Sequence, residues 1–258
     1  MNGEKAGIIV SDPPFNVTIA GNVSGKGAVK HGNFAMACGE MTEAEFTAFL
    51  IAVLTLLAEC SVDGALHYLA IDWRHMREML AAGHHAYDSL INLCVWTKTQ
   101  GGQGSFYRSQ HELFFVFKKG RAPNINNIKL GTYGRNRTNV WTYAGGNTFG
   151  RAGAGEGDLL KLHPTVKPVA LLADILLDAS HRGDIVLDPF AGSGSILIAA
   201  EKVGRRARAM EIDPSYVDCA VRRWQRWSGE DAVLEGDGRT FAEIEAERTP
   251  GGANERAL

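Results

Sequence analysis

Apolar residues along this chain follow two rhythms that alternate. Short unbroken runs read as buried strands: Ala6 to Ser11, Ala65 to Ile71, Leu90 to Trp96, Glu112 to Phe117, Ile185 to Leu187 and Ala207 to Met210. Between them the apolar positions recur at helical spacing. Phe46, Phe49, Leu50, Val53, Leu54 and Leu57 mark one helix, and Met76, Met79 and Leu80 mark a second, capped by Asp72. Leu171, Leu172, Ile175 and Leu176 mark a third, with Pro168 in its first turn. Ser195 to about Val203 forms a fourth, and Asp213-Pro214 opens a fifth. Thr42-Glu43-Ala44-Glu45 is a capping box, in which hydroxyl and carboxylate satisfy each other's backbone N–H groups. The glycine-rich link Gly101 to Ser105 predicts a hairpin-like strand pair, and Ala232 to Leu234 is a last candidate strand.

Alternation of strand and helix predicts an α/β fold with a doubly wound, mostly parallel sheet. Two stretches break the rhythm. Val17 to Gly39 is rich in Gly, Asn and Lys and reads as a long loop, a length that usually serves function. Gly120 to Gly157 has few periodic apolar positions and many Asn, Arg and Gly, so it reads as a small irregular lobe. The expected organisation is a catalytic half over 1–119, a lobe over 120–160, the other half of the same domain over 161–245, and a fraying polar tail over 246–258.

Composition narrows the class. With 258 residues, 45% of them hydrophobic, the chain can bury one large core with or without a small lobe. No apolar run approaches the roughly 18–20 residues of a membrane span, and the N-terminus carries no signal-peptide pattern. Cys38, Cys60, Cys94 and Cys219 are scattered without a C-x-x-C pair, which predicts reduced, mostly buried thiols in a cytoplasmic protein. The histidines lack metal-ligand spacing, so no metal is assigned. The net charge of −2 hides an uneven distribution: Lys98 to Arg137 holds eight basic residues against one acid, Glu112. Such a face suits a phosphate backbone.

Two segments carry candidate chemistry. Asp188-Pro189-Phe190-Ala191-Gly192-Ser193-Gly194-Ser195 is a strand end, a glycine turn and a helix start. Glycines there let backbone approach a ligand, and Glu211, at the end of the next strand, suits a pair of ribose hydroxyls. A dinucleotide fingerprint would want a third glycine where Leu197 stands. That departure favours S-adenosylmethionine, with a nicotinamide or flavin cofactor and a structural turn as the alternatives. The second segment is Asp12-Pro13-Pro14-Phe15. An adenine amino group is a weak nucleophile because its lone pair is delocalised. The Asp12 carboxylate and the Pro13 carbonyl can each accept one amino hydrogen, the prolines stiffen the corner, and Phe15 offers a stacking surface.

Together with Ile71-Asp72-Trp73, Trp96-Thr97-Lys98, Arg108 to Glu112, His163 to Pro168 and Glu211-Ile212-Asp213, these segments make the chain resemble the β group of DNA amino-methyltransferases, closest to phage and prophage adenine methylases. The resemblance implies an S-adenosylmethionine-dependent methyltransferase fold and methyl transfer to adenine N6 in double-stranded DNA by base flipping. Cytosine N4 is the alternative, as is a non-catalytic DNA-binding subunit of the same fold. It assigns Asp12, Pro13, Pro14 and Phe15 to catalysis, and Thr165, Lys167, Asp188, Phe190, Gly192, Gly194 and Glu211 to the cofactor. It puts target recognition in the lobe; Lys26, Lys30, Arg108, Arg135, Asn136 and Arg137 are the expected DNA contacts. It also leaves room for a homodimer and for a ParB-like domain upstream. Phe15 stands where Tyr is common in that group, and Ser195 where Thr is.

Overall fold

The computed structural model describes residues 1–18, 36–102, 106–134, 136–145 and 166–248. Among them seven strands form one sheet: β1 (Ala6–Ser11), β2 (Ser61–Ile71), β3 (Ser89–Thr97), β4 (His111–Lys118), β5 (Val140–Thr142), β6 (Ile185–Asp188) and β7 (Arg206–Ala209). Their spatial order is β5-β3-β4-β2-β1-β6-β7. All neighbours are parallel except β4, which runs against both β2 and β3. The mostly parallel α/β sheet expected from the sequence is therefore present.

Among the described residues six α-helices cover the sheet or flank it: α1 (Glu43–Glu59), α2 (Met76–Ala86), α3 (Val169–Ala179), α4 (Ser195–Val203), α5 (Pro214–Ser228) and α6 (Phe241–Arg248). The burial of alternate strand residues divides the core in two. Ile8, Val10, Tyr68, Phe114 and Val186 pack with Leu171, Ile175 and Ile196 of α3 and α4. Ile9, Leu69, Ile71, Phe115 and Phe117 pack with Phe46, Leu50 and Leu54 of α1 and Met79 of α2. Burying each such side chain contributes about 1.5–3 kcal/mol. The box at Thr42 forms as expected: its hydroxyl accepts from Glu45 N at 3.3 Å, and Glu45 accepts from Thr42 N at 2.9 Å.

The departures have local causes. Strand β2 starts at Ser61, earlier than the apolar run, because Ser-Val-Asp-Gly pairs through its backbone while Val62 and Asp63 stay exposed. Strand β5 lies inside the segment read as an irregular lobe. Its three residues are too few to show alternation, yet Trp141 is only 6% exposed and joins the core. Ala232 to Leu234 does not join the sheet and makes a single bridge, Val233 to Thr240. Residues expected to fray after 245 continue α6 to Arg248. Of the cysteines only Cys94 is buried; Cys38, Cys60 and Cys219 are half-buried. No helix among the described residues is long and apolar enough to cross a membrane.

This winding positions the site. The chain leaves β1 through α1 toward β2 on one side, and leaves β6 through α4 toward β7 on the other. The strand order reverses between β1 and β6, and ligands of open α/β sheets bind at the carboxyl ends beside such a point.

Candidate active site

The two predicted motifs meet at that point. Ile8 and Ile9 lie beside Val186 and Leu187 in parallel register, so Asp12 and Asp188 leave neighbouring strands at the same edge. The Ser11 hydroxyl donates to Asp188 Oδ1 across the junction at 2.9 Å, although the two residues are 177 positions apart in sequence. A cleft of about 800 Å³ opens above them, lined by Asp12, Pro13, Pro14 and Phe15 together with Asp188, Phe190, Gly192 and Glu211. Phe49, Val53 and Leu56 of α1 and Met210, Ile212 and Tyr216 make much of its wall apolar.

The glycine loop is shaped by its backbone. Gly192 and Gly194 sit at φ +50° and +78°, where side chains are strained. A Cβ on Gly194 would lie 2.7 Å from Ala220 Cβ, so this glycine also lets α5 pack against the loop. The Glu211 carboxylate accepts from Gly192 N at 2.8 Å and Asp213 N at 2.9 Å, tying the loop to the end of β7. Behind the loop, Arg223 donates to Ser193 O and Oγ at 2.6 and 2.9 Å.

Burial pushes the Asp188 carboxyl up to about 7, opposed by the bonds from Phe190 N and Ser11 Oγ. The fold thus holds a proton that the unfolded chain releases near its ordinary 3.8, and stability falls as pH rises between the two values. Asp188→Asn keeps an oxygen for both donors and cannot ionise. Its melting temperature should gain on wild type by about 3 °C or more between about pH 5 and pH 8. Parallel thermal melts check this, and a constant offset across pH would contradict it.

At the other corner, Phe15 is half-buried beside the Lys167 ammonium, 5.3 Å from its ring centroid. Lys167 was expected at the cofactor. It does line the cleft, but its ammonium pairs with Asp12 Oδ2 and, at 3.0 Å, with Glu112 Oε2. Lys98 holds the other Glu112 oxygen at 2.6 Å. Burial raises the Asp12 carboxyl and Glu112 adds to this, against the pull of Lys167. Burial also works to raise Glu112, but Lys167 and Lys98 outweigh it and bring it down to about 2. Asp12 Oδ1 is buried and accepts no hydrogen bond among the described residues.

Sequence reasoning missed two features here. Asn16 takes φ +52°, and its amide spans to Met41 O at 2.8 Å and Gly39 N at 3.0 Å, pinning the chain after the corner to the start of α1. An Asn after a rigid turn is a weak hint of that left-handed conformation. The second is Glu112, whose signal was legible as a lone acid opening an apolar strand within a basic stretch.

The expected DNA contacts divide. Lys26, Lys30 and Arg135, with Thr165 of the cofactor set, lie outside the described residues. Asn136 and Arg108 are exposed, though Arg108 donates to the Gly102 and Gly101 carbonyls at 2.9 and 2.5 Å. Arg137, 25% exposed at its side chain, pairs with Asp178 of α3 at 2.5 Å and stacks 5.3 Å over Trp141. Asn139 nearby donates to Leu93 O of β3 at 3.0 Å. Phe106 and Tyr107 form an edge-to-face pair outside the core and are 87% and 81% exposed.

A doubly wound sheet with an Asp-Pro-Pro-Phe corner on one strand and a glycine loop on its neighbour defines the methyltransferase class of α/β proteins. Solved structures share the fold. The M1.HpyAVI–SAM complex matches with a TM-score of 0.62 at 17% identity, over 86% of this chain and 90% of that one. The cytosine-N4-specific PvuII DNA methyltransferase matches with a TM-score of 0.65 at 13% identity, over 89% of each chain. Within the class the chain belongs to the N6_N4_Mtase family of DNA methylases, which it matches over residues 6–222. The type II methyltransferase M.HpaI of Haemophilus parainfluenzae is 30% identical over 159 residues, 55% of this chain and 47% of that protein. YubD of Escherichia coli strain K12 is 31% identical over 144 residues, 56% of this chain and 55% of that protein. The chain thus spans about half the length of the curated relatives it matches.

Proposed function

We propose that this chain transfers a methyl group from S-adenosylmethionine to N6 of adenine in double-stranded DNA. The observation that carries the reading is the junction of Ser11 with Asp188, which joins an amine-gripping corner and a cofactor loop in one cleft. The residues present fit the cofactor. Gly192 and Gly194 leave backbone open to it, Phe190 and the apolar wall suit its adenine, and Glu211 suits its ribose. Each Glu211 oxygen, holding one backbone N–H, keeps a lone pair for a hydroxyl. When bound, the cofactor supplies an electrophilic methyl group.

The chain's own residues prepare the acceptor. Phe15 stacks on the base. Asp12 Oδ1 and the Pro13 carbonyl accept the two amino hydrogens and draw the nitrogen lone pair out of conjugation. Pro13 and Pro14 fix both acceptors in advance, so little reorganisation is needed during reaction. The amino proton becomes acidic as the new bond forms, and no strong base is required. A target within a duplex must be flipped out at a cost of a few kcal/mol.

Residues 120–160 serve target recognition in this reading, with Lys26, Lys30, Arg108, Arg135 and Asn136 on the DNA. The β3–β4 turn emerges at the same sheet edge as Asp12, because β3 and β1 run in the same direction. That orientation supports Phe106 and Tyr107 as stacking groups for nucleic-acid bases. Replacing both by Ala should raise the KM for DNA roughly 10- to 100-fold at nearly constant kcat, since stacking contributes about 1–3 kcal/mol per base. An unchanged KM in steady-state assays would remove them from the DNA surface.

The resemblance associates Asp at position 12 with adenine and Ser there with cytosine. The likeness to a cytosine-N4 enzyme keeps cytosine as the second reading. Digestion of DNA methylated with labelled cofactor, followed by nucleoside mass spectrometry, separates them. N6-methyladenine is expected, and N4-methylcytosine would select the alternative.

A further inference from the structure

Four charges form a chain that starts at the cleft: Asp12, Lys167, Glu112 and Lys98. Each comes from a different element. Asp12 follows β1, Lys167 precedes α3, Glu112 is the second residue of β4, and Lys98 follows β3. Lys167 and Glu112 in the middle are 7% and 10% exposed at their side chains, while Asp12 and Lys98 at the ends are half-buried. The set contains two cations and two anions and balances to neutral.

Stability is a poor reason for this arrangement. Ion pairs taken from water seldom stabilise more than apolar side chains filling the same space. The chain does have one specific consequence at the cleft. Lys167 occupies Asp12 Oδ2, while Oδ1 is buried with no hydrogen bond among the described residues. The carboxylate is anchored through one oxygen and keeps an unused acceptor on the other.

We infer that Lys167 and Glu112 are positioning residues for Asp12: Glu112, steadied by Lys98, locks Lys167 onto one carboxylate oxygen, which leaves the other aimed at the amino group. This rests on the proposed transfer to an exocyclic amine, and it moves Lys167 from the cofactor to the acceptor side of the reaction. The lock fixes the rotamer of Asp12, and its ammonium favours the ionised carboxylate against burial and the neighbouring acids. Among the described residues the charged groups acting on Asp12 are Lys167, Glu112 and Lys98, with Asp188 of β6 beyond Ser11.

The charges predict opposite effects of two substitutions. Lys167→Met leaves Asp12 beside Glu112 and Asp188, so its carboxylate takes up a proton at higher pH. Glu112→Gln leaves two ammonium groups facing Asp12, so it stays ionised to lower pH. The experiment measures kcat for methyl transfer to duplex DNA against pH for wild type, both single variants and the double variant. S-adenosylhomocysteine affinity and thermal melts accompany each. The acidic limb should rise by about 1–3 pH units in Lys167→Met and fall in Glu112→Gln. In the double variant it should return toward wild type, and S-adenosylhomocysteine affinity should stay close to wild type throughout. Limbs fixed in place with activity lost evenly across pH would overturn the inference, as would loss of S-adenosylhomocysteine binding by Lys167→Met alone. If Lys167→Met does not fold, Glu112→Gln decides by the direction of its limb. The Asp12 carboxyl can also be titrated by carbon NMR in wild type and Glu112→Gln, with Asp12→Asn for assignment. A lower Asp12 pKa in Glu112→Gln supports the charge coupling even if the protein methylates no DNA, and an unmoved one refutes it.

Discussion

Asp12→Ala is expected to slow methyl transfer roughly 10³-fold, in line with the loss of a preorganised hydrogen-bonding group from a reaction centre. Affinity for S-adenosylmethionine should hardly change. The two effects separate because the two halves of the site stand on different strands. Asp12 extends from β1, whereas the glycine loop and Glu211 follow β6 and β7. The substitution should not unfold the protein, because Lys167 keeps its pairing with Glu112 at 3.0 Å and is not stranded as an unpaired buried charge. Single-turnover rates and calorimetric titration on the same preparation give both numbers. A variant that transfers methyl at the wild-type rate would remove Asp12 from catalysis.

Glu211→Ala is expected to weaken cofactor binding by roughly 30- to 1000-fold, since two hydroxyl bonds to a carboxylate contribute about 2–4 kcal/mol together. Part of the loss arises before any ligand is present. The Gly192 and Asp213 N–H groups both rest on this carboxylate, so the loop loses its tie to the end of β7. Glu211→Gln retains an acceptor for one of those N–H groups and should fall between wild type and Ala. Equal affinities for wild type and Ala would show that Glu211 holds the loop without touching the cofactor.

Much of this site could be read from the sequence, because its parts are local. Asp12 to Phe15 and Asp188 to Gly194 are each a strand end followed by a turn, and strand ends in an alternating α/β pattern share one edge of the sheet. The apolar runs at Ile8 to Val10 and Ile185 to Leu187 located the two strands, though only the structure shows them adjacent. What stayed hidden is long-range. Lys167 reaches Asp12 across 155 positions, and no spacing rule connects them. The pairing of Arg137 was equally hidden, because its partner Asp178 is a helix residue far downstream. Strand β5 was invisible because three residues cannot display a period, and its pairing with β3 depends on where Trp141 finds space.

The most direct test of the shared cleft is a structure of this chain with S-adenosylhomocysteine and duplex DNA carrying its target. The account predicts an extruded adenine stacked on Phe15, its amino nitrogen within about 2.7–3.2 Å of Asp12 Oδ1, and the cofactor product seated between the Gly192 loop and Glu211. A target base that stays paired in the helix, or a cofactor product seated away from the Ser11–Asp188 junction, would contradict it.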